Sequence, residues 1–216
     1  MTVITLTSGT SWTVPADWST TNTIEVYGAG ASGGASGDSS GGNPIAGGGG
    51  GGGGSGSYAK NTNQTGLSGS IPYSIGVGGS AVTSFGGNPG GDTNFNSGQV
   101  IGKGGSGGGV GSDAPATAGG SAGAGGILGT GTTRTVGANG TVGTDSGGGA
   151  SAAGGPGGVG TGSFGNGGKG GDGAQFSVAG ASTAGVNGRI VITYTPAATG
   201  FVPYTQTSQL GPILAS

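Results

Sequence analysis

The chain has 216 residues, of which 64 are glycine, five are basic and seven acidic, for a net charge of -2. It holds no cysteine and no histidine, which excludes disulfides, thiol nucleophiles, imidazole bases and a Ser–His–Asp triad. The basic residues Lys60, Lys103, Arg134, Lys169 and Arg189 are scattered and form no stripe, so no nucleic-acid partner is expected. No apolar run approaches the ~18 residues that a membrane-spanning helix needs, so no membrane insertion is expected. The opening Met1-Thr2-Val3-Ile4 has no basic region leading into an apolar one, so no signal peptide is expected.

In chain order, Val3–Thr7 is β-branched and alternates, then Ser8-Gly9 marks a turn. Trp12-Thr13-Val14 reads as a short strand ended by Pro15. Thr23–Tyr27 alternates again, with Ile24 and Val26 on one face. Ser57–Lys60, Ile71–Val77 and Thr93–Phe95 read as weaker strands, and Pro72 suits an edge position. Arg189–Tyr194 is the strongest strand pattern. No window carries a helical period with caps, so negligible α-helix is expected. Aromatic residues are absent from Asn96 to Ser163, so the large side chains lie toward the two ends. Trp12 and Trp18 read as core anchors.

Glycine at this level is about four times average usage. Ordering the backbone costs about 1–2 kcal/mol per residue, and glycine loses the most freedom. Side-chain burial alone cannot offset that in the middle of this chain. The glycines instead fall into registers of three. Gly162, Gly165, Gly168 and Gly171 form one line, and Gly167, Gly170 and Gly173 a second. The third line carries Ser163, Asn166, Lys169 and Asp172. Gly102, Gly105, Gly108 and Gly111 repeat the pattern beside Lys103 and Ser106, as do Gly120, Gly123, Gly126 and Gly129 beside Ser121, Ala124 and Ile127. A polyproline II rod has three residues per turn and no internal hydrogen bonds. Two bare edges let such rods approach to backbone distance and satisfy each other sideways. Asn166, Lys169 and Asp172 would face solvent or a partner. A flexible glycine-rich linker is the competing reading. Collagen is disfavoured by only nine prolines.

Gly28-Ala29-Gly30-Ala31-Ser32-Gly33 matches a dinucleotide-binding fingerprint, but more glycine follows where a helix is required, so no cofactor is expected. Asp17, Glu25, Asp38, Asp92, Asp113, Asp145 and Asp172 are isolated in sequence and read as solvated loop acids. They form no metal loop and no catalytic pair. No catalytic, cofactor-binding or metal-binding residue is therefore assigned, and the protein is expected not to be an enzyme.

Several blocks in order resemble the glycine-rich domain of bacteriophage and prophage tail proteins. They are Ser11–Pro15, Ile24–Gly30, the Gly47–Gly54 run into Ser57–Lys60, Tyr73–Gly79, Gly90–Phe95 and Gly188–Tyr194, covering about residues 2–195. Such proteins are associated with tail fibres, spikes and host-recognition tips, and some phage adhesins stack polyglycine II helices with receptor-binding loops at the far end. The resemblance implies a virion surface protein with other virion proteins as neighbours, assembled as a homo-oligomer, a trimer by analogy with phage fibres. Its receptor would be a carbohydrate or an outer-membrane protein.

The combined expectation is a mostly β protein with negligible α-helix. A small β-sandwich-like framework carries an inserted bundle of polyglycine II or polyproline II-type helices. Residues 1–100 form the framework with glycine-rich loops, 101–187 the bundle, 188–196 the closing strand and 197–216 an extended tail or docking arm. Asp38–Ala46 and Ser112–Thr117 are the candidate display loops, and individual receptor contacts are left unassigned. A capsid decoration or head-fibre protein, an ice-binding protein and a depolymerase remain as rivals.

Overall fold

In the computed structural model, which describes residues 1–40 and 44–198, the protein is mostly β with antiparallel sheets. Among the described residues the only helical turn is a 3-10 turn at Thr161–Ser163. The last strand threads between the first and third. The strands are β1 (Thr2–Leu6), β2 (Ser11–Thr13), β3 (Asn22–Tyr27), β4 (Tyr58–Thr62), β5 (Ser70–Ser74), β6 (Thr93–Phe95), β7 (Val100–Gly102), β8 (Thr133–Thr135), β9 (Ser151–Ala152), β10 (Gly173–Ala174) and β11 (Arg189–Tyr194). One sheet runs β1-β11-β3-β4-β8, another β2-β5-β6-β7, and β9 pairs with β10.

Alternation decides what the two larger sheets bury. Ile24 and Val26 of β3 and Ile190 and Ile192 of β11 are fully buried, while Glu25 and Val191 between them are not. They join Trp12, Ile71, Tyr73, Phe95 and Val100 from the second sheet in one apolar cluster. Trp12 and Trp18 anchor it as expected, edge to face at 5.3 Å. Trp18 also packs on Tyr194 at 5.0 Å.

Pro72 departs from expectation. Its strand β5 is interior, flanked by β2 and β6. The proline is tolerated because β6 pairs only with Tyr73 and Ser74. At Pro72 that side has reached the turn, where Asn96 N–H donates to the Pro72 carbonyl at 2.8 Å. No ladder donor is needed there.

Beyond the strands the backbone hydrogen bonds repeat every three residues. Along 28–37, Gly28, Ala31, Gly34 and Gly37 donate to the carbonyls of Ser57, Gly54, Gly51 and Gly48. Ala29, Ser32 and Ala35 donate to Gly91, Asn88 and Phe85. Gly30, Gly33 and Ser36 donate to Val186, Thr183 and Gly180. Along 48–57 the donors cycle in the same way among 103–112, 138–144 and 165–171. The carbonyls of these two segments accept from still other segments, so each is bonded to six neighbours. Both are buried from end to end. The sequence reading treated them as loops of the framework, but they are the centre of the network. Their side chains are the smallest in the protein, which lets six neighbours close around each.

The outer segments bury one line in three. Gly102, Gly105, Gly108 and Gly111 are buried, as are Gly120, Gly123, Gly126 and Gly129, while Ser106, Ser121, Ala124 and Ile127 are exposed. These are the registers read from sequence. The line expected from Gly162 starts later. Gly162, Ser163 and Gly165 have φ of 60°, 63° and 60° in the reversal that returns the chain to the network, and the regular pattern begins beyond it. Residues 199–216, most of the expected tail, lie outside the described residues.

A Cβ at Gly51 would lie 1.9 Å from the Ser121 carbonyl oxygen, whereas one at Gly86 would meet only the Gly108 oxygen at 3.4 Å. Gly51→Ala is therefore expected to destabilise by about 3 kcal/mol, lowering Tm by about 10 °C. Gly86→Ala is expected to stay within about 0.5 kcal/mol. Thermal melts of the two variants check this.

Candidate functional site

The lateral bonds fix which chain reversals share an end. Gly28 N–H meets Ser57, and Gly188 N–H meets Gly76, beside the sheets. At the other end, Gly37 N–H meets Gly48, Gly48 N–H meets Ser112 and Ser112 N–H meets Ala118. Ala35 N–H meets Phe85, Ser36 N–H meets Gly180 and Thr144 N–H meets Ala153 in the same region. The connecting residues 38–40, 44–46, 83–84, 113–117, 145–152 and 174–179 thus gather, with the β9–β10 pair, at the end remote from the two larger sheets.

The two display loops expected from sequence meet there. Asp38 N–H donates to Asp113 Oδ1 at 2.7 Å, and Ala114 N–H returns a bond to the Asp38 carbonyl at 2.8 Å. Residues 41–43 of the first loop lie outside the described residues. Ser39 Oγ donates to the Ala174 carbonyl, Ser146 N–H to Thr117 and Ala46 N–H to Gly149, so neighbouring connections brace one another. Between them opens a groove of about 510 Å³, lined by Ser36, Asp38, Thr83, Ser84, Asp113, Val178 and Ala179. Phe85 and Phe176, each close in sequence to a lining residue, are 75% and 62% exposed. Phe176 holds a φ of 52°, an unusual conformation for a bulky side chain. Sequence reading missed both phenylalanines, because an isolated aromatic among glycines is also what a core anchor looks like.

The carboxylates are not free loop acids. Asp38 Oδ1 accepts from Ser40 N–H, and these Ser40 bonds hold the Asp38 carboxyl below the usual range. Asp92 accepts from Gly104 N–H, Asp145 from Gly119 N–H and Asp172 from Gly154 N–H, at 2.7–2.9 Å. Asn139 and Asn166 do the same for Gly125 and Gly160. Each oxygen stands where a neighbouring segment's carbonyl would otherwise be. Lys103 pairs with Asp92 at 2.7 Å and Lys169 with Asp172 at 2.8 Å. The Lys169 hydrogen bond, then the one from Gly154, lowers the Asp172 pKa.

A second polar cluster lies on the five-stranded sheet. Glu25 Oε1 accepts from Tyr58 Oη at 2.7 Å and from Tyr27 Oη at 3.5 Å. Burial, then Glu25, pushes the Tyr27 phenol up to about 12 and raises Tyr58 further. Phe164 stands edge-on to Tyr27 at 4.9 Å, and the Arg189 guanidinium lies 3.5 Å above the Phe164 ring. This cluster clamps the 160–165 reversal to β3 and β11. Gly28–Gly33, the dinucleotide-like motif, opens no helix and lies in the buried centre of the network. Among the described residues no group of three or more His, Cys, Asp or Glu could hold a metal, and no helix is long and apolar enough to cross a membrane. No protein-family model matches the chain, and no curated protein matches it.

Asp38 and Asp172 have lowered folded-state pKa values, so the stability they supply is present above the unfolded value of about 3.9 and is lost as pH falls through the folded values. Tm is expected to hold from pH 7 to about 4 and to drop below it. Asp172→Asn keeps an acceptor for Gly154 and should lose part of that acid dependence, while Asp172→Ala costs about 1 kcal/mol at pH 7. Melting curves recorded between pH 7 and pH 2 measure both.

Proposed function

We propose that the protein is a non-catalytic virion surface protein of the tail-fibre or spike type, a receptor-binding adhesin in which a rigid bundle displays a loop-built tip. The glycine segments are polyglycine II-type helices, and the two apolar-faced sheets form the β-sandwich-like framework from which they project. The carrying observation is the cycling of N–H donors among three neighbours along 28–37 and 48–57. A threefold rod without internal bonds directs successive N–H groups 120° apart, as that cycling requires. Ten residues of such a rod extend about 31 Å, enough to hold the tip well clear of the sheets.

The display role draws on the shared tip of the connections, the groove there and the outward Phe85 and Phe176. Loops braced on a rigid bundle lose little freedom when they bind, which lowers the cost of recognition. The resemblance of the strand and glycine blocks to phage tail proteins supplies the biological setting. A host surface carbohydrate or outer-membrane protein is the receptor, and the sheet end faces the particle.

Adsorption competition tests this. Purified protein in excess should reduce phage adsorption to its host at least tenfold, and Phe85→Ala with Phe176→Ala should abolish the competition without changing Tm. If the protein neither binds host cells nor competes, and labelled antibody decorates the capsid instead, it is a head decoration protein and the adhesin role is wrong.

A further inference from the structure

The segment 137–145 is the outermost member of the network on the side of 48–57. Among the described residues it bonds to three neighbours: Gly140 and Gly143 donate to Gly123 and Gly120, Thr141 and Thr144 donate to Pro156 and Ala153, and Ala138 accepts from Ser55. Its remaining sides face outward. One line of three along it carries Val136, Asn139, Val142 and Asp145. Asn139 and Asp145 spend their oxygens on Gly125 and Gly119. The same spacing sets Val142 opposite Ala122, whose N–H meets no acceptor among the described residues. Where an acceptor is wanted there, the chain presents an exposed aliphatic group instead, and Val136 stands likewise opposite Leu128, whose N–H also meets no acceptor among the described residues. Val136 is 56% and Val142 65% exposed, and Val159 on the adjacent segment 64%.

From 118 to 160 the chain carries only two charges, Arg134 and Asp145, one at each end of this segment. Ordinary protein surface is about 25–35% charged. The whole chain is only 6% charged, so what marks this face is its row of exposed aliphatic groups, the character of an interface core.

We propose that a second copy of this chain covers this face, paired antiparallel about a twofold axis. Such an axis sets residue i on j and j on i. With Val136 of one copy on Val142 of the other, Asn139 lies opposite Asn139 and Asp145 falls beside Arg134. A parallel pairing would instead place Arg134 on Arg134 and Asp145 on Asp145. The face is about 31 Å long and three segments, about 15 Å, wide. That is about 450 Å² per copy, which is small for a stable dimer. The association is therefore weak and concentration-dependent, with a Kd of about 100 μM. It does not depend on what the tip binds.

Sedimentation of the full chain up to about 1 mM, ten times that Kd, should show the mass rising from 19.4 kDa toward twice that value. Val142→Asn supplies the acceptor that Ala122 lacks, so it should keep or raise Tm while weakening association at least tenfold. Arg134→Glu should weaken it similarly, and added salt should weaken the native dimer. In a chain without cysteine, Asn139→Cys should form an interchain disulfide with glutathione disulfide as oxidant, and Ser80→Cys, on the opposite side of the network, should not. A chain that stays monomeric throughout, a dimer that survives both Val142→Asn and Arg134→Glu, or a trimer would each overturn the proposal.

Discussion

The structure depends on the sideways N–H···O=C bond between segments that have no bonds within themselves. A typical intramolecular hydrogen bond adds only about 0.5–1.5 kcal/mol net, but a buried backbone group left unpaired costs more than that. Two segments buried throughout their length can exist only if nearly all their N–H and C=O groups find partners, and the six surrounding segments supply an acceptor for every N–H and donors for most carbonyls. Glycine is required by distance here more than by conformation. At Gly51 a methyl group would occupy the space of the Ser121 carbonyl. The interior of the network is therefore made of peptide groups, where an ordinary domain would hold methyl groups and rings.

Such an arrangement needs its ends held. The sheets do this with the few large apolar residues the chain has, joining Thr2–Leu6 to Arg189–Tyr194 across nearly the whole described sequence. The partners of 28–37 include 180–186, so the central segment is complete only when the last part of the network is in place. Phe164, Tyr27 and Arg189 fasten the reversal nearest the sheets. The remote reversals are tied mainly by backbone and short polar side chains, and there the surface is free to vary without disturbing either core.

The strands were legible because β-branched alternation is strong at Val3–Leu6, Thr23–Tyr27 and Arg189–Tyr194. Val100–Gly102 and Thr133–Thr135 were missed: three residues show no period, and their strand character comes from the neighbour they lie against. The registers of three were legible from glycine spacing in 102–129, but not in 47–54, where every position is glycine and no side-chain line marks the phase. The convergence of Asp38 with Asp113 was not readable, since it depends on which segments become neighbours. The use of Asp and Asn as stand-in carbonyls had a faint signal, in that Asn139, Asp145, Asn166 and Asp172 all fall on the line that glycine avoids.

An interior of peptide groups also bears on heat capacity. Exposing apolar surface raises the heat capacity of unfolding and exposing polar surface lowers it. Unfolding this network uncovers mostly amides, so its increment per residue falls below the ~12–15 cal/mol/K of ordinary domains. The curve of stability against temperature is correspondingly shallow. Since the loss of stability on cooling grows with that increment, a fold whose centre at 28–37 and 48–57 is backbone resists the cold better than one whose centre is oil.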